Sequence, residues 1–188
     1  YLNKYSVYHC ISDGEESKFN ADVISIDDGA KVEHIRNVRL IISSYLVNQY
    51  RYSKKDAATL AYFITIYNAV YRQDLAYFQN NFKTLVLDYI TAENAGLSLK
   101  FSEWPGKSRI VIPLSKNPQK GNCIVMSMDF LDREKEITTA ADGGIYKREE
   151  SFVIIKREEQ KIEYTVRLIE ETLNGEVYGI DAVEQSLL

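Results

Sequence analysis

The chain has 188 residues, 45% of them hydrophobic and 27% charged, with a formal net charge of -4 at pH 7. That length accommodates one good core or two small ones, and the composition sets aside intrinsic disorder for most of the chain. The acidic balance argues against a nucleic-acid binder, and no apolar run reaches the roughly 18 residues that a membrane-spanning helix needs. The chain begins at Tyr1 with neither an initiator Met nor a basic-then-apolar leader. It therefore reads as a processed form or an excised piece, and its start carries no information about export.

Tyr1 to Ile11 alternates, with Tyr5, Val7, His9 and Ile11 on one side, and predicts a strand. Ser12 to Ser17 is a polar turn, and Ala21 to Ile26 predicts a second strand paired with the first. Asp27-Asp28-Gly29 reads as acids that complement the N-terminal dipole of a following helix. It lacks the alternating oxygen ligands of a calcium loop.

Three amphipathic helices follow, across a region holding more than half of the 14 tyrosines. Val32, Ile35, Val38, Ile42, Tyr45 and Leu46 recur at spacings of three and four and mark the first helical face. Asn48 to Tyr52 leads to Ser53, an N-cap with Asp56 three positions on. The second helix runs from about Lys54 to Tyr71, with Leu60, Phe63, Ile64, Tyr67 and Val70 on its apolar face. Arg72-Gln73-Asp74 is a break, with Asp74 as the next N-cap. Leu75, Phe78, Phe82, Leu85, Val86 and Tyr89 predict a third helix. Breaks this short favour antiparallel neighbours.

After Thr91 to Gly96, Leu99 to Phe101 reads as extended, Glu103-Trp104-Pro105-Gly106-Lys107 as a tight turn, and Arg109 to Leu114 as a strand. Residues 116–122 are rich in Lys, Asn, Pro and Gly and read as a linker or a join. Beyond them, alternation at Ile124 to Leu131 and Lys161 to Ile169, with Asn174-Gly175 as a hairpin turn, predicts an antiparallel meander. The expected class is α+β: a three-helix unit with flanking short strands over 1–115, then an antiparallel β domain over 123–188.

Few residues carry recognisable chemistry. Two histidines and two cysteines do not make a zinc set, so no metal and no cofactor is expected. His9 reads as a strand residue and His34 as a surface or packing residue. Asp142-Gly143-Gly144 leads toward a strand rather than opening a helix, which argues against a phosphate loop. The adjacent glutamates and the Lys-Arg pairs read as solvated faces, and no catalytic residues are assigned. Cys10 and Cys123 either pair in an oxidising compartment or stay as free thiols. Tyrosine, with an apolar ring and a polar tip, suits helix packing and partner surfaces alike. On that ground Tyr50, Tyr52, Tyr71 and Arg72 are candidate partner-binding residues. So are Trp104 and Pro105, where the Trp is either an exposed anchor or a plug at the end of the helical core.

Val32 to Arg39, Tyr52 to Ala57 and Ile66 to Arg72 carry a resemblance, and Ala95 to Ser98, Glu103 to Gly106 and Ile110 to Leu114 continue it in the same order. Together they resemble the N-terminal domain of the spirochaete 83/100-kilodalton major antigen family, over roughly residues 1–114. The resemblance implies an exported, antigenic protein of the periplasm or cell envelope and supplies no catalytic residues. Fuller members have a long charged coiled coil after the Pro-Leu strand, whereas here Ser115 passes almost directly into strands. The reading is a non-enzymatic structural or protein-interaction module with a protein partner, no nucleic acid and no membrane span. The alternative is a ligand-binding or hydrolytic enzyme with a cleft between the helical and β parts.

Overall fold

The computed structural model describes residues 5–32, 34–119 and 122–124, with side chains described as far as Ser115 and at Ile124. Apart from Asn122–Ile124, the meander expected over 123–188 lies outside the described residues. The elements run β1 (Tyr5–Cys10), β2 (Asn20–Ile26), α1 (Ile35–Tyr50), α2 (Lys54–Val70), α3 (Leu75–Asn81), α4 (Thr84–Leu87), β3 (Arg109–Gln119) and β4 (Asn122–Ile124). The strands form one antiparallel sheet in the order β1-β2-β3-β4. The fold is α+β, and the first two strands pair as the sequence predicts.

The helix signals hold where local chemistry sets them. The Ser53 hydroxyl accepts from the Asp56 amide at 3.0 Å, and the Asp74 carboxylate accepts from the Tyr77 amide at 3.1 Å. Val38, Ile42 and Leu46 of α1 are fully buried, as are Phe63, Ile64 and Tyr67 of α2. Each of these side chains contributes roughly 1.5–3 kcal/mol by leaving water.

Four local readings change. The start of α1 is capped by His34, whose Nδ1 accepts from the Arg36 amide at 3.1 Å, and no acid lies in its first turn. Asp28 instead fills the space a Cβ would need at Gly106, a residue with φ of +70°. The third helix is two short ones, because Phe82 and Lys83 are extended. There the backbone leaves the helix to bond Phe19: Phe19 N–H donates to Asn81 O at 2.9 Å and Lys83 N–H to Phe19 O at 3.0 Å. Phe101, read as the end of an extended stretch, instead opens a 3-10 turn, Phe101–Glu103, while Lys100 is extended. The stretch read as a linker continues β3 as far as Gln119, which pairs with Asn122 of β4.

The orientation of the ladder follows from one side chain. Asn68 of α2 is buried, and its carboxamide bonds both backbone groups of Val111, accepting from the N–H at 2.7 Å and donating to the carbonyl at 2.9 Å. Both backbone groups of a residue in an antiparallel strand point the same way, alternating along the strand. Val111 therefore faces away from β2. So do Arg109, whose N–H donates to Asn94 and Gly96 carbonyls, and Pro113, which has no N–H to give a ladder. By the same alternation Ile110, Ile112 and Leu114 bond β2, and Val23 faces β1. Ser6, Tyr8 and Cys10 then bond β2 from the other side.

Phe63 is 1% exposed and packs edge-on to Tyr62 at 5.8 Å. Phe63→Ala is expected to lower stability by about 3–5 kcal/mol, read from chemical denaturation. An unchanged midpoint would remove Phe63 from the core.

Candidate functional site

Two polar clusters stand out. The first is built on Asp22. Alternation along β1 and β2, with His9 opposite Asp22, turns both side chains toward α1. Asp22 is fully buried. One carboxylate oxygen meets His9 Nδ1 at 2.5 Å, and the other accepts from the hydroxyls of Tyr45 and Tyr50, each at 2.5 Å. A carboxylate can only accept, so in this pair the facing Nδ1 is the donor. Burial, reinforced by the Asp22 carboxylate it bonds, pushes the Tyr50 hydroxyl far above its ordinary value. The arrangement orients an imidazole as the acid of a catalytic triad does. Here, among the described residues, the ring's hydrogen-bond partners are Asp22 and the Tyr50 hydroxyl at 3.5 Å, and no Ser, Thr or Cys side chain is among them. Cys10 turns to the opposite face, where its Sγ donates to Tyr8 O.

The second cluster is built on Arg72, just past the end of α2. Its guanidinium donates to the carbonyls of Asn94, Gly96 and Lys107 at 3.1, 3.2 and 3.0 Å, and weakly to Ser108 Oγ at 3.4 Å. Glu103 lies 3.8 Å away. Burial lowers the Arg72 pKa and Glu103 opposes that. The Ser98 hydroxyl, 2.5 Å away, holds the Glu103 carboxyl below the ordinary carboxylate range, and Arg72 adds to the effect. A cleft of about 400 Å³ opens here, lined by Arg72, Gln73, Thr91, Glu93 and Glu103 among others. Gly96, with φ of +79°, lets this loop press on α2, since a Cβ there would lie 2.4 Å from Asn68 O.

A family model described as Borrelia P83/100 protein matches residues 1–160. The chain belongs to that family. No curated protein and no solved structure matches it. The Borrelia P83/100 match reaches past the roughly 114 residues over which the resemblance was read.

In this Borrelia P83/100 family member the candidate partner residues fall into two groups. Trp104 is 1% exposed, and its Nε1 donates to Ser98 O at 2.8 Å, so it plugs the fold instead of projecting from it. Pro105 is half-buried and bridges to Ile26. Tyr71 is buried and stacks flat on Tyr77, and the Arg72 side chain is 11% exposed. Arg72, Trp104 and Pro105 meet in the loop before β3, whereas Tyr71 packs toward α3 through Tyr77. Tyr50 is buried in the Asp22 cluster. Tyr52 is half-buried, and its hydroxyl accepts from the Ile124 amide at 3.3 Å. Cys10 is a buried free thiol, pushed up to about 11 by burial and then by Asp22. The Cys123 side chain lies outside the described residues. Among the described residues no group of three or more His, Cys, Asp or Glu could hold a metal ion. No helix among them is long and apolar enough to cross a membrane.

The sequence reading missed Asp22, Tyr45 and the partnership of His9. The available signal was a carboxylate set inside the apolar strand Ala21 to Ile26.

Tyr50→Phe leaves the buried Asp22 carboxylate one donor short and is expected to cost about 1.5–3 kcal/mol in urea denaturation. An equal midpoint would show that Asp22 does not depend on that hydroxyl. Glu103 gives a pH signature. Its folded pKa is depressed, so its contribution is present above the unfolded value and lost as pH falls through the folded one. The stability gap between wild type and Glu103→Gln should be constant above about pH 5 and close in more acid solution. A gap that widens on acidification would contradict the assignment.

Proposed function

We propose that the chain is a non-enzymatic structural and protein-interaction module of the spirochaete periplasm or cell envelope. The observation that carries this reading is the use made of the two buried ionisable groups. The Asp22 carboxylate ties β2 to β1 and α1, and the Arg72 guanidinium ties the end of α2 to three loop carbonyls. Groups engaged in this way hold the fold and have little left for substrate. Among the described residues the junction between helices and sheet is filled by buried side chains, Asn68 among them, which supports a structural role there; the cleft of the alternative, between the helical part and the β part over 123–188, lies outside the described residues. Family membership supports the cellular setting. Exposed Leu40 and Phe101 offer apolar contact to a protein partner.

The setting is tested with spirochaetes that produce the protein, using protease and an antibody to the folded domain. The protein is expected to resist protease in intact cells, to become accessible once the outer membrane is permeabilised, and to fractionate with the envelope. Recovery with cytoplasmic markers, still protected after outer-membrane permeabilisation, would overturn the reading.

A further inference from the structure

The sides of β1 and β3 that face away from β2 are built in opposite ways, β3 being considered over Arg109 to Pro113, before its pairing with β4 begins. The outer side of β3 is closed from Arg109 to Pro113. Asn94 and Gly96 carbonyls take the Arg109 N–H at 2.8 and 3.1 Å, Asn68 takes both groups of Val111, and Pro113 has no N–H. At β1 the alternation sends the backbone groups of Tyr5, Val7 and His9 outward, and among the described residues no backbone hydrogen bond reaches them. Exposed edges are commonly protected by Lys, Pro, a bulge or a covering segment. The strand Tyr-Ser-Val-Tyr-His-Cys has no Lys and no Pro, and its register runs unbroken from Tyr5 opposite Ile26 to Cys10 opposite Ala21. Ser6 and His9 are exposed on it.

We propose that the outer edge of β1 pairs with β1 of a second copy of this chain, antiparallel, about a twofold axis at Val7. In that register the partner's Val7 lies opposite Val7, and the partner's His9 lies opposite Tyr5. These are the residues whose backbone groups face outward, so the Val7 pair and both Tyr5–His9 pairs exchange main-chain hydrogen bonds. β-branched and aromatic side chains oppose one another on the helix face, and Ser6 lies opposite the partner's Tyr8 on the other. The strand carries no Asp, Glu, Lys or Arg, so no fixed like charges meet across the axis, and a charged peptide would find no counter-charge. The twofold contact uses the β1 edge of both copies and leaves neither free, so pairing through this edge closes at a dimer.

The test uses the full chain, by sedimentation equilibrium over a dilution series and by amide exchange at high and low concentration. The mass is expected to approach twice that of the protomer as concentration rises. The Tyr5, Val7 and His9 amides should gain protection with the dimer, while those of Ser6, Tyr8 and Cys10 are protected throughout. Val7→Pro removes an outward N–H and no β1–β2 bond, so it should weaken dimerisation while the domain stays folded. Ser6→Lys alters only an exposed side chain and should weaken it too, which covers failure of the proline variant to fold. A monomer at every concentration overturns the proposal. So does protection of the three outward amides that is independent of concentration, which would assign the edge to another segment of the same chain. A dimer that neither variant weakens also overturns it.

Discussion

Asn68 is the joint on which the helices and the sheet agree. Its side chain bonds the Ile64 carbonyl and both backbone groups of Val111, and its own carbonyl accepts from the Leu97 N–H at 2.9 Å. It is fully buried, so each polar atom would cost heavily if unpartnered. The carboxamide stands in for a peptide group of a neighbouring strand. That substitution lets a helix dock against a strand edge without leaving main-chain groups unpaired. The approach of the loop at Gly96 and the closed outer side of β3 both depend on it.

Arg72 repeats the device on the segment that returns the chain to the sheet. A loop crossing a surface leaves carbonyls that need donors. One planar guanidinium supplies several in a fixed fork, which a lysine could not. Trp104 completes the closure by burying its ring and giving its N–H to Ser98 O. The helices, the loop and the strand thus form one unit, with the aromatic ring where a partner anchor would otherwise project.

Features set by neighbouring residues were legible from the sequence. The stripe of Val38, Ile42 and Leu46 and the caps at Ser53 and Asp74 fix α1, the start of α2 and the start of α3 by local chemistry. The break at Phe82 was hidden because its cause, pairing with Phe19, lies far away in the chain. Residues 115–119 have the composition of a linker, yet the backbone there continues β3 and Gln119 pairs with Asn122 of β4, so composition misled. The Trp104 turn was recognisable as rigid, whereas the depth of its ring is a tertiary property. The Asp22 cluster needs the β1–β2 register and the placement of α1 over it, neither of which a single sequence displays.

The burial of Cys10 has a separate consequence. Its thiol sits on β1 and is held protonated, with a pKa of about 11, so neutral solution offers almost no thiolate to react. The side chain is buried, so reagents reach it only when the structure around β1 opens. Its labelling rate therefore times such openings, making a native side chain a clock for local unfolding at one edge of the domain.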